Sequence, residues 1–272
     1  MYAVMFSNMC DIFFTGFIFF FFGFAISNFF TIYFVSLDFF LSIIPSVLET
    51  DASSDEYLFL YNWIELGSIL IKIEFTNGNF SNYIGFIVLF ITLIIQFFSF
   101  TYMNHEKDEL KFQAFLSFFS VFMYILLSSE NVVQFFAGWE GIGICSYLLI
   151  SFWSTRVDAD LAALKAIYTN KIGDLAMLLA IVFIFYETNS FEFNIIEFSI
   201  QLIKYSSLFE YLCFLLSIAV ISKSAQFSMH LWLPDAMEGP TPVSAFIHAA
   251  TMVTAGILLV IKFNFLFKVA VI

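Results

Sequence analysis

The chain has 272 residues, 61% of them hydrophobic and only 12% charged, with a mean hydropathy of +0.94. That balance is too apolar for one soluble core, and a net charge of −12 excludes a nucleic-acid binder, which needs clustered lysine and arginine. Three cysteines, Cys10, Cys145 and Cys213, have neither metal-ligand nor disulfide spacing and read as packing residues.

A lipid-spanning helix needs roughly 20 apolar residues. Residues 1–48 are almost continuously apolar and predict two spans, with a turn near Ser27 and Asn28, although one long tilted span also fits. They lack the Arg-rich, acid-poor character of a transit peptide and read as retained spans, not a cleaved signal. Residues 49–82 are polar and acidic, with Glu49, Asp51, Asp55, Glu56, Glu65 and Glu74 against Lys72. Weak alternation over Ser68 to Glu74 and the turn signal Thr76-Asn77-Gly78-Asn79 predict a short extramembrane hairpin there.

Further spans are expected at about 83–103, 111–129, 132–153 and 162–186. A second acidic connection, at about 187–207, carries Glu187, Glu192, Glu197 and Glu210 against Lys204. Another span runs from about 208 through Pro234, Pro240 and Pro242, where the prolines predict a broken helix, and a last covers about 242–262. The expectation is an all-α polytopic membrane protein of about eight transmembrane helices, one of them broken. Its units are 1–48, the hairpin region 49–82, a third helix and loop at 83–110, a five-helix unit at 111–262, and the end 263–272. Lys107, Lys111, Arg156 and Lys165 lie in the 104–111 and 155–165 loops, so those loops are expected on the matrix or cytoplasmic side. The hairpin and the N-terminus then face the opposite side.

Ionisable groups inside spans are costly unless they serve an ion or proton path or find partners. Glu140 lies about 4 Å along the axis from the centre of its span. Lys171 and Asp174, three residues apart, share one helix face and can pair. Lys223 is expected mid-helix, with His230 two turns on, and His248 lies in the last span. Carboxylates, lysines and histidines are the groups a proton relay uses, and a changing Glu–Lys distance can load and unload one proton. Plainer roles stay open: an assembly carboxylate for Glu140, a structural ion pair for Lys171 and Asp174, close helix contact for Gly138, Gly141 and Gly143, and a capping or interfacial place for His230. Lys223 has the fewest such uses. No glycine-rich phosphate loop follows a strand, and the histidines and cysteines form no metal set.

The strings GWEGIGICSYLLISFW at 138–153, NKIGD at 170–174, KSAQ at 223–226 and WLPDAMEGPTPVSAFIHAATMVTAG at 232–256 resemble the antiporter-like chain 5 subunits of proton-pumping NADH:ubiquinone oxidoreductase, respiratory complex I, in mitochondrial form. The resemblance covers about 83–262, and the first 82 residues by span pattern alone. The 42 phenylalanines, spread through the spans, fit AT-biased coding of an organelle gene.

The resemblance implies that Glu140 is the fifth-helix carboxylate, Lys223 the lysine of the broken seventh helix and His248 the linking histidine of the eighth. Asp174 then falls on the acidic member of a sixth-helix pair, whose arginine is Lys171 here. An ammonium keeps the charge but not bidentate geometry. It further implies a proton-translocating subunit in the mitochondrial inner membrane, with no cofactor of its own. NADH, flavin, iron–sulfur clusters and ubiquinone would be handled by other subunits. Partners would be other complex I membrane subunits, above all the neighbouring antiporter-like chain, together with membrane lipid. Only the first antiporter-like half-channel repeat is present. The second repeat and the lateral helix would come from a separate chain, or this is part of a longer product. A subunit of a multi-chain sodium/proton antiporter is the alternative; a non-pumping scaffold is disfavoured by Glu140, Asp174, Lys223 and His248 occurring together.

Overall fold

The computed structural model describes residues 56–66, 69–203, 207–247 and 251–270. The two spans expected in 1–48, Cys10 and His248 lie outside the described residues. Strands β1 (Glu56–Leu66) and β2 (Ile69–Asn77) form an antiparallel hairpin with Leu66 opposite Ile69. The chain therefore reverses between Leu66 and Ile69, not at Thr76–Asn79 as the turn signal suggested. Those later residues lead into a helix instead: Gly78 is the N-cap of α1 (Asn79–Tyr102), where the Ser81 hydroxyl accepts from Gly78 N–H at 3.2 Å.

Helices α2 (Glu109–Ser128), α3 (Val132–Ile150) and α4 (Val157–Thr188) follow. Asn131 starts α3 by accepting from Val133 N–H at 2.9 Å, which satisfies one of the free first-turn donors. Asp158 and Asp160 complement the dipole at the start of α4, and Asn189 ends it in the left-handed region at φ 54°. Among the described residues α1 to α4, with α3 extended to Trp153, are long and apolar enough to cross a membrane.

The 187–207 stretch is more than a connection: it contains α5 (Phe193–Ile203), with Phe193, Ile196 and Ile200 buried and Ile195 and Phe198 exposed. The acids that marked this stretch as a connection lie mostly outside the helix: Glu187 is in the last turn of α4, Glu192 precedes α5, and Glu197 alone falls within it, at an exposed position. Its start and the α2–α3 turn receive the hairpin. Thr76 Oγ1 donates to Ser128 C=O at 3.3 Å, Glu74 N–H to Gln134 Oε1 at 3.2 Å, and Lys72 pairs with Glu192 at 2.8 Å. The hydrogen bond to Glu192 holds Lys72 above the ordinary lysine range. That anchoring is complete at neutral pH and fades only as pH rises through the raised value.

Helix α6 (Ser207–Lys223) stops at Lys223, so Lys223 is its last residue and not mid-helix, and His230 is not two helical turns beyond it. The break falls ahead of the prolines, at Ser224–Leu231, where Ala225 (φ 49°) and Ser228 (φ 82°) are left-handed. The Trp232 indole N–H donates to Ser222 C=O at 3.0 Å and takes one carbonyl freed at the break. A single turn at Trp232–Asp235 precedes α7 (Thr241–Phe246), α8 (Met252–Lys262) and α9 (Asn264–Ala270). Ile247 and Thr251 have the wider winding of a π turn, and Thr251 Oγ1 donates to Phe246 C=O at 2.7 Å. The core joins α2, α3, α4, α6 and α8 around Phe119, Phe135, Trp139, Trp232 and Phe246, all fully buried. Cys145 and Cys213 are buried free thiols, in keeping with packing roles.

Candidate proton-relay site

Close helix approach sets up the site. A Cβ on Gly173 of α4 would lie 1.7 Å from Ser222 Oγ and 2.7 Å from Ser222 Cβ, so only glycine lets α6 come this near. A Cβ on Gly143 of α3 would lie 3.0 Å from Lys223 Nζ. Gly138 and Gly141 face α2, where a Cβ would strike Leu126 and Phe122. The glycines thus do permit helix contact, and Gly143 makes room for the lysine itself.

Four charges meet across α3, α4 and α6. Lys223 is 0% exposed, and its ammonium donates to Trp139 C=O at 3.1 Å. It stands 4.0 Å from Asp174 Oδ1 and 5.2 Å from the centre of the Trp139 ring. Asp174, also buried, accepts from the Trp139 indole N–H at 2.7 Å. Its other oxygen lies 3.7 Å from Lys171 Nζ, and Lys171 is hydrogen-bonded and ion-paired with Glu140 Oε2. The order Glu140, Lys171, Asp174, Lys223 alternates in sign and sums to zero. Such neutralisation makes burial tolerable, since an unpaired buried charge costs several kcal/mol.

The Lys171–Asp174 spacing therefore does produce a pair, yet Lys171 is also bound to Glu140. The sequence did not single out Trp139, although it bridges the two ends of the buried pair with its indole N–H and its carbonyl; it lies beside Glu140 in the same motif. Asp235, one of the ionisable residues of the proline-rich stretch, forms an ion pair with Lys165 that ties the turn after the break to α4, a pairing the sequence does not show. Lys165 had been assigned only to a basic loop. His230 is exposed and stacks on Phe227 with ring centroids 6.5 Å apart, away from the four-charge chain. Among the described residues no cluster of three or more His, Cys, Asp or Glu could hold a metal ion.

Residues 129–272 match the family model described as NADH:quinone oxidoreductase/Mrp antiporter, TM, and residues 63–124 match that of NADH-Ubiquinone oxidoreductase (complex I), chain 5 N-terminus. The chain is similar to NADH-ubiquinone oxidoreductase chain 5 of Phytophthora infestans, 39% identical over 260 residues covering 91% of this chain and 39% of that one. NADH-quinone oxidoreductase subunit L of Rickettsia typhi is 42% identical over 215 residues, 77% of this chain and 33% of that one. The chain spans about a third of the length of the curated relatives it matches. In fold it is similar to a chain in the structure of the Mrp complex from Dietzia sp. DQ12-45-1b, with a TM-score of 0.84 and 21% identity over 99% of this chain and 29% of that one. This multi-pass membrane protein belongs to the NADH:quinone oxidoreductase/Mrp antiporter transmembrane family, in which its relatives are chain 5 and subunit L proteins.

Proposed function

We propose that the chain is a proton-translocating membrane subunit of NADH:ubiquinone oxidoreductase in the mitochondrial inner membrane, holding one antiporter-like half-channel. The observation that carries the reading is the continuous chain Glu140–Lys171–Asp174–Lys223, partly exposed at Glu140 and wholly buried at Lys223. When Glu140 takes up a proton, Lys171 loses that partner and turns to Asp174. Asp174 is then less available to Lys223, which gives up its proton toward His248, the next group by resemblance. One proton enters at Glu140 and one leaves Lys223, so the charge count closes. NADH oxidation, flavin, iron–sulfur clusters and ubiquinone belong to other subunits in this reading. The neighbouring antiporter-like chain and other membrane subunits of the complex are its partners in this reading.

Purification from detergent-solubilised membranes through a tag on this chain tests the assignment. NADH-oxidising activity with bound flavin and iron–sulfur signals is expected to co-purify. Sodium/proton exchange without flavin would overturn it in favour of the multi-chain antiporter. The orientation is tested separately with Lys107→Cys in sealed inner membranes: an impermeant thiol reagent is expected to reach residue 107 from the matrix side, and labelling from the intermembrane side would invert the topology.

A further inference from the structure

At the hairpin end of the bundle a second charged pair lies apart from the first. Glu130 precedes α3 and Lys262 ends α8, and their charged groups stand 3.6 Å apart. Lys262 also donates to Ser129 C=O at 3.0 Å, and its Nζ lies 5.6 Å from the centre of the Phe193 ring. Glu130 is only 9% exposed. Both residues line a cavity of about 300 Å³ whose polar wall includes Thr76, Ser81, Asn194 and Glu197. Phe80, Phe193, Ile261 and Phe265 complete the lining, and a cavity of that size with these polar groups on one wall has room and partners for several waters.

Inward of the pair the surroundings turn apolar. The Phe193 and Phe263 rings are 5.2 Å apart, and each lies 6.3 Å from Phe135. All three are buried, and Phe135 stacks on Trp139 at 6.1 Å. Trp139 is roughly 10 Å along α3 from its first residue, and Phe135, one turn before it, touches both of the other rings.

We propose that Glu130 and Lys262 are a second proton-exchange site, supplied with water from the hairpin side through this cavity and separated from the Glu140–Lys223 chain by the plug of Phe135, Phe193 and Phe263. The inference rests on the proton-translocating reading. A hydronium in the cavity gives one proton to the Glu130 carboxylate and leaves water and a neutral acid. Lys262 then loses a charged partner, and the end of α8, next to Phe263, is less firmly held to α3. Protonation of Glu130 therefore loosens the frame of the plug.

Single cysteines at Ile261, which lines the cavity, and Leu259, buried on the inner side, test the layout in the assembled membrane complex. With an impermeant cationic methanethiosulfonate on the hairpin side, Ile261→Cys is expected to be modified and Leu259→Cys not. An unmodified Ile261→Cys would remove the water-filled approach, and a modified Leu259→Cys would remove the dry plug. These outcomes decide the matter even where a charge variant fails to assemble. In assembled complexes Glu130→Gln and Lys262→Met are each expected to lower proton transfer by at least about fivefold. Should both transfer protons at the wild-type rate while Lys223→Met does not, the second site alone fails. Should Lys223→Met also match the wild type, the proton-translocating reading fails with it.

Discussion

Lys223→Met is expected to lower proton transfer through this chain by about 100-fold or more while the protein still assembles. Methionine approximates the lysine stem in length, and the pocket around Lys223 is wholly closed, so the apolar side chain fits. Replacing one member of a buried pair is usually costly because the other is stranded. Here Asp174 keeps the Trp139 indole at 2.7 Å and Lys171 at 3.7 Å, which limits that cost. What is lost is the titratable group that, among the described residues, joins Asp174 to the break in α6. Proton uptake by sealed membranes, set against the amount of assembled complex, measures the effect. Wild-type uptake would show that protons take another route.

Gly173→Ala is expected to be nearly as damaging, for a different reason. The added methyl would overlap the Ser222 side chain at 1.7 Å and 2.7 Å and press on Ala219 Cα at 3.3 Å. Rotating the hydroxyl relieves the first contact but not the second, so α4 and α6 must separate. Overpacking of this kind costs about 1–3 kcal/mol. It also widens an Asp174–Lys223 separation that is already 4.0 Å, the limit of an ion pair. Thermal unfolding in detergent should show the destabilisation, and proton uptake should fall with it. Adding Ser222→Gly to Gly173→Ala should recover much of both losses, because it removes the atoms struck first. No recovery in the double variant would mean that the helix contact is not what Gly173 protects.

The spans were readable because each long apolar run ends at polar or acidic residues, as between Thr76 and Ser81 or around Asn189. The strand reversal was misplaced because Thr76-Asn77-Gly78-Asn79 has turn chemistry that serves equally well as a helix start. The break in α6 was expected at the prolines, the strongest local signal. The chain breaks earlier, where Ala225 and Ser228 carry no sequence mark of their left-handed backbone. Of the site, Glu140, Lys171, Asp174 and Lys223 stood out as charges in apolar runs, and the three-residue spacing of Lys171 and Asp174 already implied a pair. That Lys171 reaches α3, and that Trp139 links Asp174 to Lys223, depends on helix packing that no local pattern encodes. Lys262 and Glu130 were passed over because each lies at a helix end, where a charge is unremarkable.

The central claim is that the four charges from Glu140 to Lys223 act as one proton-carrying unit. A double-mutant cycle on Glu140→Gln and Lys171→Met, read as the rate of proton transfer per assembled complex, tests it most directly. Residues that act as a unit give strongly non-additive losses. The double variant is therefore expected to be no slower than the slower single variant. If the two losses instead multiply, Glu140 and Lys171 contribute independently, and the chain of charges is not the path.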